Sequence, residues 1–362
     1  MRTGTASLPL HGGKCPAWLF SRMKVLGAAI IEVVVEEFGP AEVLRRLSDP
    51  CWFQSLGCVL GFDWHSSGVT TTVCAALKEG LRDAQGSLGV FFAGGKGRAS
   101  RSTPHEIELL GERCGLTRVA ELQYASRMAA KVDSSAVQDG YQIYHHFFVF
   151  TPQGEWAVVQ QGMNEDSRRA RRYHWLSRWV EDFVCEPHAA VCCDQAAATL
   201  NLVAGENEAL RRISTEIAAL SPERVIREIR AAERSRPALT LPSSHPIPST
   251  AHLSRALSAI YDRSPKNFGE LLEIPGVGGG TLRALALVAE VAYGVKASYR
   301  DPVKYSFAHG GKDGHPFPVN RQDLEHSARV LQKALKKARC GQPEQLAALR
   351  RLAQWHQQNL SK

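Results

Sequence analysis

Residues 141–162 have the sequence YQIYHHFFVFTPQGEWAVVQQG, the most strand-like stretch of the chain. Two runs rich in aromatic and β-branched residues, 141–151 and 155–162, flank a turn sequence at 151–154. Runs of this composition favour strands, and a tetrapeptide that contains proline and glycine favours a turn. The stretch therefore predicts two strands joined by a turn at the centre of a β-sheet.

Further strands and several helices are predicted on both sides of these two strands. Residues 128–134 are a predicted strand, and so is the apolar run 88–93, which two glycines close. Helices are predicted over residues 18–47, residues 103–113, the basic segment after Arg168, and residues 205–234. A small sheet among many helices follows from these predictions.

A proline-rich segment divides the chain. Residues 237–250, PALTLPSSHPIPST, contain four prolines and little core material, which is typical of a linker. Because 362 residues exceed the roughly 250–300 at which one core stops growing, we expect two domains, or one domain with an appendage. The prediction is an α+β protein. Residues 1–236 form a mixed α/β domain that holds the small β-sheet and the chemistry, and residues 251–362 form an all-helical domain with a basic tail.

The bulk composition favours a polyanionic partner and a reducing compartment. Lys and Arg number 44 against 36 Asp and Glu, and the net charge of +8 favours nucleic acid; charge that serves solubility alone is the alternative. Nine cysteines without a Cys-x-x-Cys pair predict neither a disulfide framework nor a thiolate zinc site. The longest apolar run, 25–35, is too short to span a bilayer, and no export signal precedes it. We therefore expect a cytoplasmic protein with no membrane partner.

A glycine-rich turn, IPGVGGGT at 274–281, stands between two segments of helical pattern. Glycines permit a tight turn, and N–H groups at the start of the second helix point towards an anion such as a phosphate oxygen. The stretch 266–294 resembles the helix-hairpin-helix family, which implies binding to the DNA backbone without sequence preference. The predicted DNA contacts in the turn are Gly276, Gly278, Gly279, Gly280 and Thr281.

This turn departs from the family pattern in its charge. Gly279 and Gly280 stand where the family often has a basic residue, so Arg283 is the predicted cation. The alternative is a glycine-rich turn that only packs two helices together.

Other basic residues are predicted to contact the phosphate chain. Gly-Gly-Lys occurs three times and supplies Lys14, Lys96 and Lys312; glycine amides beside a lysine suit an anion, although each triplet is equally typical of a plain turn. Arg171 and Arg172 lie in a segment with four arginines beside aromatic residues, which suits phosphate contacts and base stacking. A solvated helix face is the alternative for that segment.

A catalytic centre is predicted within or beside the strands. Carboxylates and imidazoles on a sheet edge can hold Mg²⁺ or Mn²⁺, which activates water against a phosphodiester. In this hypothesis Asp133 and Asp139 bind the metal, His145 positions water and Lys131 offsets phosphate charge. The order of elements is loosely similar to ribonuclease-H-like nucleases, in pattern only. The alternative is that these residues are solvated or structural.

Two further places carry acidic residues. The loop 62–68, FDWHSSG, is either a second set of metal ligands or a structural turn, and the absence of Gly-x-Ser-x-Gly leaves a hydrolase triad there without support. Asp301 follows the glycine turn by a helix and a loop, as in helix-hairpin-helix DNA glycosylases, which implies a role in base excision. Since Asp301 precedes Pro302, the alternative is a helix cap.

Several long strings closely resemble one prokaryotic family, catalogued as domain of unknown function 763, over nearly the whole chain to about residue 340. They include LSDPCWFQSLGCVLGFDWHSSGVTTTV (47–73), AGGKGRASRSTP (93–104), KVDSSAVQDGYQIYHH (131–146) and GGKDGHPFPV (310–319). The family implies no established activity, so the function has to be argued from the residues.

Three functions follow from these features as hypotheses. The first is a metal-dependent nuclease, or structure-selective DNA-processing protein, that acts in DNA repair or processing. The second is a non-catalytic DNA-binding or architectural protein, which predicts salt-sensitive binding without turnover. The third is a glycosylase-like enzyme that uses Asp301. Because one hairpin alone holds DNA weakly, we also expect a homodimer or a second hairpin-like unit.

Overall fold

A computed structural model describes most of the chain. The described residues are 8, 15–62, 66–193, 198–235, 246–303, 329, 331–336, 341, 345 and 347–352. Two predicted DNA contacts, Lys14 and Lys312, lie outside the described residues, as do parts of the loop 62–68 and of the linker 237–250.

Helices and one sheet account for most of the described structure. The helices are α1 (Ala17–Phe38), α2 (Pro40–Ser48), α3 (Pro50–Leu60), α4 (Gly68–Gly80), α5 (Gln85–Leu88), α6 (Arg98–Arg101), α7 (Thr103–Cys114), α8 (Val119–Lys131), α9 (Glu208–Ala218), α10 (Pro222–Ser235), α11 (Thr250–Arg263), α12 (Phe268–Glu273) and α13 (Gly279–Tyr293), with a π-helical turn at Val132–Ala136. The strands are β1 (Phe91–Lys96), β2 (Val137–Gln138), β3 (Gln142–Phe150), β4 (Trp156–Asn164), β5 (Arg169–Leu176), β6 (Ala190–Cys192) and β7 (Leu200–Asn201). The predicted α+β class is confirmed. In the described part of the chain, no helix combines the length and the apolar character needed to cross a bilayer.

The predicted pair of strands forms the centre of a five-stranded antiparallel sheet with the order β1-β3-β4-β5-β6. Strands β3 and β4 pair from Phe150 opposite Trp156, and the Thr151 N–H donates to the Glu155 carbonyl at 2.9 Å across the turn. Gly154 has a φ of +86°, in the left-handed region that glycine enters without strain. The local composition of 141–162 therefore predicted the sheet centre correctly.

The predicted strand at 128–134 is wrong. These residues are the end of α8 and part of the π-helical turn. Within α8, Leu122, Ala125 and Ala129 recur at helical spacing and belong to the buried core. This apolar stripe packs against the sheet. The chain therefore stays helical through 128–134, although the composition of these residues favours a strand.

The helix predicted immediately after Arg168 is also wrong, because Arg169–Leu176 is strand β5. It pairs with β4 on one side and β6 on the other, and Arg171 and Arg172 are fully buried. Arginine is rarely buried unless it is paired. For this reason the arginines of this segment indicated a solvated helix and not a buried strand. The two helices α9 and α10 cover the later segment, 205–234, that was predicted to be helical.

Helices cover both faces of the sheet. On one face, Phe147, Val149 and Val159 pack in a core with residues of α1, α2, α3 and α4. On the other face, Phe148 and Phe150 pack with residues of α8, α9 and α13. Since successive side chains of a strand point to opposite faces, the neighbours His145 and His146 lie in different layers of the protein.

The chain that follows the proline-rich segment packs into the second of these cores. Leu257 of α11 and Leu285 of α13 belong to the same buried cluster as Phe148 and Trp175. Pro246 and Pro248 lie directly against Gly280, where an added Cβ would be 2.5 Å from the Pro246 oxygen. Helices α11 and α13 therefore share a core with the sheet.

Candidate functional site

The end of α8 contacts the glycine turn between α12 and α13. The Lys131 ammonium donates to the Val277 carbonyl and, at 3.4 Å, to the Ile274 carbonyl. Burial lowers the pKa of Lys131 from its ordinary value. Gly276 has a φ of +88°, which only glycine adopts easily. Lys131 therefore shapes this turn, in addition to the charge that it brings.

Substitution of Lys131 measures this contribution. We expect Lys131→Met to lower the free energy of unfolding by about 1–3 kcal/mol, because two carbonyls lose a charged donor. Urea unfolding checks the value. Lys266 lies exposed before α12, and Lys266→Met should change stability by less than about 0.5 kcal/mol. A Lys131→Met protein as stable as the parent would contradict this role.

The start of α13 is bound to the small two-stranded sheet. Gln138 of β2 donates to the Gly279 carbonyl at 2.7 Å and accepts from Arg283 Nε at 2.9 Å. Arg283 is largely buried, and this burial lowers its pKa. The predicted cation of the turn thus binds a protein side chain, whereas Gly276 is exposed and Gly278 half-buried at the turn itself.

A cavity of about 470 Å³ opens beside this turn, between α6, α8, β3 and α12. We call it the cationic cleft; the side chains that define it are Arg101, Ser126, Arg127, Lys131, His146 and Glu273. Arg101 and Arg127 are exposed. Burial and the Glu273 carboxylate raise the pKa of Tyr124 to about 12, so the one acid among these residues is engaged by a tyrosine hydroxyl. Three cations therefore dominate the charge of the cleft.

A chain of hydrogen bonds runs from the floor of the cationic cleft into the core. His146 contacts Ser126 Oγ through Nε2 at 2.9 Å and Gln160 Oε1 through Nδ1 at 2.9 Å. The Gln160 amide donates to the Ala129 carbonyl at 3.1 Å and to Asp133 at 2.5 Å. Burial lowers the pKa of His146, against the opposing effects of Gln160 and Asp133. His146 is therefore neutral near pH 7.

The predicted metal ligand Asp133 lies at the inner end of this chain. Its carboxylate accepts from Gln160, from Trp175 Nε1 at 2.9 Å and from His188 Nε2 at 2.5 Å. It is fully buried. Three donors already engage its oxygens, so in this structure Asp133 orients its neighbours.

The second predicted ligand, Asp139, binds other partners. It accepts from Arg171 Nη1 at 2.9 Å and from the Tyr173 hydroxyl at 2.6 Å. Burial raises the pKa of Asp139, and the Arg171 charge opposes this shift. Arg171 also donates to Asp301 at 2.8 Å. Two residues predicted for DNA contact and base excision, Arg171 and Asp301, thus form one buried ion-pair network with Asp139.

His145 and Arg172 lie on the opposite face of the sheet. Arg172 donates to Gln54 at 2.6 Å and its guanidinium lies 4.7 Å from the centre of the Phe53 ring. Burial lowers the pKa of His145 to about 3. Neither ring nitrogen of His145 has a hydrogen-bond partner among the described residues. The structure therefore does not bring His145 together with Asp133 and Asp139.

These placements bear on the predicted Mg²⁺ or Mn²⁺ site. Within the described residues, no three His, Cys, Asp or Glu side chains are arranged to hold a metal ion. Of the predicted lysines, Lys96 is exposed at the end of β1, with its ammonium 5.6 Å from the centre of the Tyr144 ring. The polar residues that line the cationic cleft are three cations, several hydroxyl groups, His146 and Glu273.

The fold and the cleft define an α+β protein with a helix-covered antiparallel sheet and a cationic cavity beside a glycine turn. The chain belongs to the family of proteins of unknown function DUF763, whose model matches residues 4–319. Searches of the curated proteins and of the solved structures found no match. The family resemblance of the long strings is thus confirmed.

The sequence prediction did not name Ser126, and it placed Gln160 and His146 among the polar residues of the strands but gave a catalytic role only to His145. A signal for Ser126 exists, because it is a polar residue within the apolar stripe of α8. Strand alternation separates His145 from His146, but only the packing of α8 shows which of them faces the cleft.

Proposed function

We propose that the protein binds DNA by its phosphate backbone, in the cationic cleft and along the adjacent α12–α13 turn. The observation that carries the proposal is the position of Lys131, which lines the cleft and also holds two carbonyls of the turn. Cleft and turn are therefore parts of one continuous surface.

The charge of this surface suits a phosphodiester chain. Arg101 and Arg127 are exposed on α6 and α8, and both line the cleft. A guanidinium presents a planar set of donors that matches two phosphate oxygens. Neutralised phosphates release counterions, which supplies most of the affinity in sequence-independent binding.

The exposed tip of the turn and the half-buried Gly278 and Gly280 add backbone groups to the same surface, whereas Gly279 and Thr281 are buried. α13 begins at Gly279 after the Gly278 N-cap, and the first N–H groups of a helix have no acceptor within that helix. Pro275 and Gly276 are exposed at the tip of the turn. Backbone donors at a helix start bind anions and carry no information about base identity. We therefore expect binding without sequence preference.

Removal of two cleft cations tests the proposal. We expect Arg101→Ala combined with Arg127→Ala to weaken binding to a labelled duplex. The slope of log K against log salt should become shallower by about 1–2, because each lost phosphate contact removes about 0.9. Fluorescence anisotropy over a salt series measures both quantities.

A control lies on the opposite side of the sheet. Arg22 of α1 is exposed and its guanidinium lies 5.6 Å from the centre of the Trp18 ring. Arg22→Ala removes one positive charge and should leave the salt slope within error of the parent. An equal loss of affinity in both variants would indicate net charge alone, and unchanged binding after loss of Arg101 and Arg127 would refute the site.

A further inference from the structure

The floor of the cationic cleft carries a serine hydroxyl against a neutral imidazole. We propose that Ser126 is a nucleophile, activated by His146, that attacks a phosphodiester of the nucleic acid bound in the cleft. The inference rests on the proposed DNA binding for its substrate class. Its nucleophile and base, Ser126 and His146, had no catalytic role in the sequence-based nuclease hypothesis, and Asp133, a metal ligand in that hypothesis, has a different role.

The hydrogen bonds fix which nitrogen of His146 accepts a proton. The Gln160 amide nitrogen faces two acceptors, the Ala129 carbonyl and the Asp133 carboxylate, so its oxygen faces His146. A carbonyl oxygen only accepts, and Nδ1 of His146 therefore carries the hydrogen. Nε2 is left as the acceptor, and the Ser126 hydroxyl donates to it at 2.9 Å. This is the tautomer that a general base next to a serine nucleophile needs.

A buried support holds the imidazole in place. Gln160 orients His146, and Asp133 orients Gln160 through the 2.5 Å contact. Trp175 and His188 in turn anchor Asp133. The arrangement has the logic of a nucleophile, a base and an orienting group, with an amide in direct contact with the base and a carboxylate behind it. Gln160 and Asp133 are thus positioning residues.

The cavity distinguishes this pair from other buried histidine contacts of the sheet. His174 is also fully buried, but its Nδ1 contacts the Leu47 carbonyl, and it does not line the cleft. Ser126 and His146 are only 1% and 3% exposed, yet both form part of the wall of a 470 Å³ cavity. A cavity of this size is within the range of ligand sites.

The charges of the cleft suit the reaction that the pair would perform. Arg101, Arg127 and Lys131 line the same cavity as the Ser126 hydroxyl. Fixed cations around the phosphorus stabilise the negative charge that spreads over its oxygens in the transition state. They also favour a phosphodiester over a neutral ester as the substrate.

The atoms balance over two displacements. Ser126 Oγ attacks phosphorus and gives its proton to His146 Nε2; the bond from phosphorus to the leaving sugar oxygen breaks, and that oxygen takes the proton. The intermediate is a phosphodiester that joins Ser126 Oγ to the remaining sugar. Water then attacks this phosphorus and gives a proton to Nε2, the bond to Oγ breaks, and Oγ takes the proton back. The sum is a phosphodiester and water converted to a phosphomonoester and an alcohol.

The first experiment uses diisopropyl fluorophosphate as a phosphorus electrophile on the full chain, with the labelled residue located by mass spectrometry. We expect a phosphorylated Ser126, no label after Ser126→Ala, and labelling at least about 100-fold slower after His146→Gln. Because His146 is already neutral near pH 7, the labelling rate should stay level from pH 7 to 9. Ser87 is an exposed serine on α5, and Ser87→Ala should label like the parent.

The second experiment separates this inference from the proposed DNA binding. The parent and Ser126→Ala are incubated with labelled single-stranded and duplex DNA in chelator, and retention and cleavage are scored together. We expect both proteins to bind with the same salt slope and only the parent to cleave. A folded parent that binds DNA but neither labels at Ser126 nor cleaves would overturn the nucleophile and leave the proposed binding intact. Labelling of Ser126 in a protein that binds no DNA would overturn the phosphodiester as substrate.

Discussion

Replacement of Arg171 by methionine is expected to lower the free energy of unfolding by about 3–5 kcal/mol, which is a large part of the stability of a typical domain. Arg171 is fully buried and donates to Asp139 at 2.9 Å and to Asp301 at 2.8 Å. Methionine leaves the Asp139 carboxylate buried without its counter-charge. Urea unfolding, followed by circular dichroism, measures the loss.

An exposed ion pair near the end of the same strand provides the control. Arg178 donates to Glu155 at 2.7 Å, but its side chain is 58% exposed. Arg178→Met should therefore cost no more than about 1 kcal/mol. We also expect Asp139→Asn, added to Arg171→Met, to recover part of the lost stability, since the orphaned charge is removed. Equal stability of Arg171→Met and the parent would show that the network contributes nothing.

Acid is expected to destabilise the fold at a pH where most carboxylates are still charged. Burial lowers the pKa of His145 to about 3, and the pKa values of His146 and His174 shift in the same direction for the same reason. In the unfolded chain a histidine titrates near 6.5, so below this pH the unfolded state binds more protons than the native state. The contribution of these histidines to the free energy of unfolding is therefore complete above about pH 6.5 and is lost as the pH falls towards 3.

His145 allows this effect to be isolated. Between pH 7 and pH 5, the lowered pKa of His145 should account for about 2 kcal/mol of the loss in the free energy of unfolding. Its ring nitrogens have no hydrogen-bond partner among the described residues, so His145→Leu breaks no hydrogen bond seen there. We expect His145→Leu to be at least as stable as the parent at pH 7 and less sensitive to acid. Unfolding midpoints in urea at pH 7, 6 and 5 give the comparison, and identical pH profiles would contradict the prediction.

The two experiments on the cationic cleft test binding and reaction separately. Loss of Arg101 and Arg127 tests whether the surface binds the phosphate chain, while loss of Ser126 tests whether the floor of the cleft reacts with it. Ser126 lies next to apolar residues of α8, so Ser126→Ala removes a hydroxyl with little change of shape. Ser126→Ala therefore tests the reaction without removing the cations proposed to bind the phosphate chain.

Candidate site residues were harder to predict than secondary structure. Asp133, Asp139 and His145 were grouped because they are close in sequence and have metal-ligand chemistry. The structure distributes them among a hydrogen-bond chain, an ion-pair network and the opposite face of the sheet. Ligand chemistry is a property of each residue alone, whereas a site requires that side chains converge. Short sequence separation does not predict convergence when a strand alternates its side chains between two faces.

The sequence by itself determined the elements whose cause is local. The aromatic and β-branched residues of 141–162 with their turn predicted β3 and β4, and the glycines of 274–281 predicted the turn between α12 and α13. Only the tertiary structure decided that 128–134 is helical, that Arg171 and Arg172 are interior residues of a strand, and that Ser126 meets His146 at a cavity. Arg171 binds residues 32 and 130 positions away in the chain. Burial of a charge is favourable only when a partner compensates it. The partners of Arg171 are too distant in sequence to be recognised from its neighbouring residues.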